Sequence, residues 1–457
     1  ITMIDQTLET IVETVGKLDS KKVSKEVLEQ TKLRILDYLG CVVGAFKEPV
    51  GSLVKQIAGR SRLSSNGVTL LGTNWQSSPD IACFGNGLLG RYLDFNDQYS
   101  GKTTGHPSDI IPAVLAATEL SQGDGHSVIA GTLIGYELFG RLCDSITLKP
   151  KWDHVTLGAI AAAGAAAKSL GLDEQSTKHA ISIATVSNLS LDQTRRGELS
   201  HWKAGAFPNA SRQGLFAALL AKDGLTGPDM PFDGAHGFWN AVGQPDDSSC
   251  LSSPLGKYKL LETAIKAHSA CYLDLSAVDA IIELREGVLI DDIESILVHT
   301  YQYSIDLTAD VPSKWRPQTR ETADHSMPYI LATTLLEGFV DPKHYALDRL
   351  NNSEIHSLMD RIRVTENPIY SKNFPQVQTQ RVEITTKSGD QLVKEVDYPT
   401  GHPCKPMSLS QIEAKFYRLV KDALPSTQTK DLVSEIMGIE SSTSLKDALR
   451  LLVVEDK

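Results

Sequence analysis

The chain has 457 residues and a formal net charge of −11, with 41% hydrophobic and 22% charged residues. That length holds two or three domains with a large core, and the composition excludes disordered and fibrous classes. The acidic balance removes any overall attraction to nucleic acid or anionic membranes, so an anionic ligand must find a local basic pocket.

From the start, "ITMIDQTLETIVETVGKL" is predicted as an acidic amphipathic helix and not as a basic, apolar signal. "KEVLEQTKLRILDYLGCVVGA" and "HSVIAGTLIGYELFGRLCDSI" carry apolar residues at three- and four-residue steps, which predicts helices that each bury a face. Between them lies "YLDFNDQYSGKTTGHPSD". Asp94 and Asp97 stand at i and i+3, so on a helix they share a face; the plainer reading is a helix end followed by a cap. Such a pair suits either a divalent cation or two carboxyls with separated proton affinities. The Gly-Lys-Thr-Thr-Gly loop is too short and wrongly spaced for a phosphate-binding P-loop. His106-Pro107 closes it, and Ser108 is expected to cap the next helix.

His154 stands just before "LGAIAAAGAAAKSLGL", a helix of small residues that lets neighbouring axes approach closely. A helix start there favours an anion. "QTRRGELSHWKAGAFPNASRQG" then gathers Arg195, Arg196, His201, Lys203 and Arg212 among Gly, Trp, Phe and Pro, a pattern that suits a partly enclosed carboxylate or phosphate site.

After Lys266 the character changes. "ESILVHTYQYSIDL" reads as a strand, and "RVEITTKSGDQLVKEVDY" as a hairpin about a Lys-Ser-Gly-Asp turn. "SKWRPQTRETADHSMPYILATTLLEG" brings Arg316, Arg320, Asp324, His325 and Tyr329 to the start of an apolar helix. "YPTGHPCKPMS", with Lys405, is expected to be a return crossing, and helical pattern resumes at "SLSQIEAKFYRLVKDAL". The expected fold is mainly α: a discontinuous all-helical domain of residues 1–265 and 405–457, with a smaller α+β domain of residues 266–404 inserted. The six cysteines form no CxxC pair, which argues against zinc or iron–sulfur ligation and fits a reducing compartment. No run of about 18 apolar residues occurs. A cytoplasmic protein is expected, or one of the mitochondrial matrix in a eukaryote, with no membrane or nucleic-acid partner.

The stretches "LDFND…GHPSD", "HWKAGAFPNASRQG", "RPQTRETADHSMPY" and "GHPCKPMS" together resemble the MmgE/PrpD family, in family order and over nearly the whole chain. That family includes 2-methylcitrate dehydratases, cis-aconitate decarboxylases and iminodisuccinate epimerases. The resemblance implies a large discontinuous helical domain, a smaller α+β lid, a homodimer, small polycarboxylate substrates, and no metal or other cofactor. It also implies active-site positions at Asp94, His106, His154, Lys203 and Tyr329, with Gln98, Arg195, Arg196, Arg212, Arg320 and His325 as substrate-binding candidates. Gln98 stands where family members often place threonine, and Leu275 where many carry histidine; the second change weighs against decarboxylation.

Chemistry of this kind begins or ends with a proton on carbon beside a carboxylate, so the site must neutralise that carboxylate and hold a base. The lysine and arginines supply positive charge. His106 or His154 is the expected base, and Tyr329, His154 or a protonated Asp94 the expected acid for a departing hydroxyl. The leading expectation is a cofactor-independent hydro-lyase for 2-methylcitrate or a relative. The alternatives are a cis-aconitate decarboxylase, a dicarboxylate epimerase, a helical protein holding Mg²⁺ and a diphosphate on the aspartate pair, and a polycarboxylate-binding homologue without turnover.

Overall fold

The structure, a computed structural model, describes residues 4–148 and 150–455. The fold is mainly α-helical, with small sheets. The chain forms two compact units: Ile1–Asp192, Ala204–Thr263 and Ser408–Lys457 make the first, Gln193–Lys203 and Ala264–Met407 the second. Residues 193–203 thus belong with the second unit, where sequence pattern alone had kept them in the helical domain.

In the first unit the N-terminal helix runs Gln6–Lys17, and the expected residues 1–3 lie outside those described. Asp5 caps it by accepting from the Leu8 N–H, and Leu8, Ile11, Val12 and Val15 face the core. The long helix Lys25–Phe46 is buried along most of its length, charged residues included. Its Asp37 carboxylate is met by Lys415 of the Leu409–Val420 helix at 2.6 Å, and the same ammonium donates to the Phe95 carbonyl at 2.7 Å. This buried ion pair ties the returning C-terminal segment to the N-terminal one.

The small-residue stretch forms the helix Val155–Leu170, with Gly171 in the left-handed conformation closing it. Its neighbours do approach closely. A methyl group added at Gly214 would stand 2.6 Å from the Ala163 nitrogen and 2.7 Å from the Ala159 carbonyl, so glycine is required there by the neighbouring backbone.

The second unit is built on a four-stranded sheet in the order Gln391–Val396, Gln380–Thr386, Ile293–Thr300, Ile362–Glu366. The last pair is parallel, and the others are antiparallel. Along Gln380–Thr386 burial alternates strictly, as a strand with one covered face requires. Helices Leu275–Leu284 and Met327–Glu337 share a core with Ile293, Ile296, Val298, Val382 and Ile384. The expected strand over "ESILVHTYQYSIDL" ends at Thr300, and Gln302–Thr308 is a helix. Ser304 and Thr308, one helical turn apart, both donate to the buried Asp274 carboxylate. A helix presents both hydroxyls to one acceptor, whereas a strand cannot.

Candidate functional site

In the first unit the helix Pro79–Tyr92 stops just before the acidic stretch. Asp94 has φ +48°, the left-handed conformation, so the stretch is the helix end that was one of its readings, and Asp94 and Asp97 do not share a helix face. Each carboxylate instead does a different job. Asp97 Oδ1 accepts the Ser108 N–H at 3.0 Å and its Oδ2 accepts the Tyr136 hydroxyl at 2.6 Å. Burial pushes the Asp97 carboxyl above its ordinary value, and these donors oppose the rise. Ser108 is therefore not the expected cap. It is the second residue of a short 3₁₀ turn, Pro107–Ile110, and its Oγ accepts from the Asn96 side chain at 3.0 Å.

Asp94 is paired with Arg91, whose guanidinium is itself buried and lies 2.5 Å from Asp94 Oδ1. The same guanidinium stands 3.0 Å from His106 Nε2 and 3.6 Å from Asp109 Oδ2. His106 Nδ1 lies 2.7 Å from the Asp97 carbonyl. A carbonyl only accepts, so Nδ1 carries the hydrogen and Nε2 turns its lone pair to Arg91. His106 is thus held as a neutral ring with its basic nitrogen engaged.

His154 is arranged differently. It ends the loop before the helix Val155–Leu170, and its Nδ1 lies 2.8 Å from Oδ1 of the fully buried Asp153. A carboxylate behind Nδ1 fixes the tautomer and raises the basicity of Nε2. The rings of His154 and His106 meet edge to face with centroids 5.7 Å apart. The Gln98 amide donates to the Tyr99 carbonyl at 3.0 Å, and Arg212 is engaged by Asn209 and Asp80.

The second unit holds a separate cluster. Lys203, near the start of the Trp202–Lys222 helix, is 1% exposed, and its Nζ lies 2.5 Å from Asp324 Oδ1. The same oxygen accepts from His325, whose Nδ1 is 2.7 Å away and stands 3.4 Å from Lys203 Nζ. The segment carrying the lysine is pinned on both sides: the Leu199 N–H donates to the Thr322 hydroxyl at 3.1 Å, and Arg195 donates to the Lys203 carbonyl at 2.7 Å. Arg195 thereby acts on the backbone of Lys203. Arg196 is half-buried nearby in sequence, and His201 lies 3.5 Å from Glu321.

Several expected residues sit elsewhere in this unit. Tyr329 is buried in the core and donates its hydroxyl to the His344 carbonyl at 2.6 Å; burial pushes that phenol up to about 12, which suits a structural donor better than an acid. Arg320 donates to the Pro342 carbonyl at 3.0 Å and lies over the Tyr345 ring. Arg316 pairs with Asp360, and Lys405 pairs with Asp279 at 2.8 Å. Leu275 is a buried member of the apolar core. Sequence pattern did not single out Arg91 or Asp153. Each lies next to a quoted residue and was overlooked because a charge's partner is chosen by the fold.

The family model described as the MmgE/PrpD N-terminal domain matches residues 9–250, and that of the MmgE/PrpD C-terminal domain matches residues 268–437. The chain belongs to the MmgE/PrpD family. Among its MmgE/PrpD relatives, a 2-methylcitrate dehydratase of Escherichia coli O157:H7 is 28% identical over 420 residues, covering 86% of each chain. A mitochondrial 2-methylcitrate dehydratase of Yarrowia lipolytica is 26% identical over 449 residues, covering 91% of this chain and 84% of its own. A fungal protein named alkylcitrate dehydratase is 26% identical over 427 residues, covering 85% and 83%. Among the described residues, no helix is long and apolar enough to cross a membrane.

Proposed function

We propose that this chain is a hydro-lyase that dehydrates 2-methylcitrate or a closely related hydroxytricarboxylate, without a metal or organic cofactor. Relatives matched over most of their length carry dehydratase names, and the substrate in those names is a tricarboxylate. The observation that carries the reading is the buried Lys203–Asp324–His325 cluster, an ammonium, a carboxylate and an imidazole sharing one oxygen. A substrate carboxylate must have its developing negative charge matched when the neighbouring C–H is broken, and a fixed ammonium in a dry setting does this without reorganisation. Lys203 is assigned that role.

The proton is assigned to His154. Asp153 holds Nδ1 protonated, which leaves Nε2 basic, whereas Nε2 of His106 faces Arg91. The electron pair of the broken C–H bond forms the alkene as the C–O bond breaks, and the departing hydroxide takes a proton and leaves as water. His325 is a better acid than Tyr329 for that step, because Asp324 supports its imidazolium form whereas the Tyr329 proton is given to a backbone carbonyl.

Proton NMR in D₂O tests the reading, with EDTA-treated protein and a panel of 2-methylcitrate, citrate, cis-aconitate and iminodisuccinate. An alkene signal growing from 2-methylcitrate, and lost in Lys203→Ala, is expected. Deuterium entering carbon without an alkene replaces dehydration by epimerisation, carbon dioxide from cis-aconitate replaces it by decarboxylation, and activity abolished by EDTA removes the metal-free claim.

A further inference from the structure

Lys314 was not among the candidates read from the sequence. It lies in the short helix Pro312–Trp315 of the second unit and is 1% exposed. Its Nζ has no hydrogen-bond partner among the described residues. The backbone around it is fixed: its N–H donates to the Val311 carbonyl at 2.9 Å, and its own carbonyl accepts from the Ser326 hydroxyl. Ser326 caps the helix Met327–Glu337 and follows His325 directly, so the same short segment holds Lys314 and carries the Asp324–His325 pair.

Burial lowers the Lys314 ammonium below its ordinary value, and Lys203 lowers it further, while Cys271, Asp324 and Asp310 act the other way. Asp324 is already engaged by both Lys203 and His325. The Lys314 ammonium itself meets no hydrogen-bond acceptor among the described residues, in a setting where an unpaired ion is among the most destabilising groups a core can hold. Such a group is kept where an anion arrives to pair with it.

We propose that Lys314, held by the segment that carries Asp324 and His325, is a substrate-binding residue whose ammonium takes one carboxylate of a tricarboxylate substrate. This rests on the reading of the chain as a tricarboxylate hydro-lyase and adds to it the group that anchors the ligand. Lys203 already gives one donor to Asp324, and the Lys314 Nζ, with no hydrogen-bond partner among the described residues, adds its donors for a second carboxylate.

The test uses the full chain and tricarballylate, a saturated tricarboxylate with no hydroxyl to lose. Lys314→Met keeps length and removes charge; Lys314→Gln is the second variant should the first fold poorly. Titration calorimetry is expected to show tricarballylate binding about 10- to 100-fold weaker in either variant, the size of one charge-assisted hydrogen-bonded contact. With 2-methylcitrate, KM rises while kcat stays within about threefold, the signature of lost uniform binding. The unliganded variants should melt at or above the wild type, because an unpaired buried charge has gone; a purely structural lysine would lower the melt and leave affinity alone. Wild-type affinity and KM in both variants overturn the proposal by itself. A wild type that binds tricarballylate but turns over nothing overturns the hydro-lyase reading and leaves the Lys314 comparison decisive. A wild type that neither binds nor converts any tricarboxylate overturns both.

Discussion

Replacing Asp153 with asparagine separates the two histidines of the first unit as candidate bases. Asp153 is fully buried, with Oδ1 2.8 Å from His154 Nδ1 and 3.4 Å from the Val155 N–H. Asparagine has the same shape. Its oxygen, in the Oδ1 place, keeps both contacts and the ring tautomer, but the negative charge that supports the imidazolium formed on proton transfer is gone. Nε2 thereby loses basicity without the ring being displaced. General-base catalysis contributes about 10²–10⁴-fold, so kcat is expected to fall by about that factor, or roughly 3–5 kcal/mol in the barrier. Folding loses much less, about 1–2 kcal/mol for one weakened hydrogen bond to a charged group. The assay follows the ultraviolet absorbance of the alkene tricarboxylate under saturating 2-methylcitrate, with a thermal melt as control. Because the two residues act as a unit, Asp153→Asn/His154→Asn should lose no more than the worse single variant. Activity of Asp153→Asn within about threefold of the wild type, with a normal melt, would sink His154 as the base.

Two further outcomes concern stability. Burial lowers the His344 imidazole from 6.5 to about 4, and its Nδ1 accepts the Asp341 N–H at 3.0 Å, as a neutral ring must. The unfolded chain therefore takes up this proton first as pH falls: the stabilisation is whole above 6.5 and is lost on acidification toward 4, worth on the order of 2 kcal/mol after solvent screening. His344→Asn, which keeps an acceptor, should flatten the decline of melting temperature between these pH values; an unchanged slope assigns the acid sensitivity elsewhere. Gly214→Ala should cost about 1–3 kcal/mol by overpacking, since the added methyl meets backbone atoms of the Val155–Leu170 helix; an unaltered melt refutes the close approach.

The division between what sequence pattern carried and what it missed follows the range of the forces involved. Helices such as Lys25–Phe46 and Val155–Leu170, and the hairpin at Thr386–Gln391, are set by local periodicity and turn chemistry, and they were legible. The acidic stretch was legible in part: a helix end was among its readings, but the partners of its carboxylates were not, because the buried Arg91 guanidinium gathers Asp94, His106 and Asp109 across the fold. Lys314 was passed over for the same reason, since a lysine between serine and tryptophan carries no mark of burial until the rest of its unit surrounds it. One signal was available and went unused. The dipeptide Asp-His occurs at 153–154 and again at 324–325, and in both places the aspartate Oδ1 faces Nδ1 of the adjacent histidine, at 2.8 and 2.7 Å. Neighbours in sequence form this contact at little cost in chain entropy, because no loop has to close. Asp-His is thus the form in which a carboxylate-backed imidazole can be written locally, and its presence marks His154 and His325, ahead of His106 and Tyr329, as the residues on which a proton-transfer mechanism for this chain should be built.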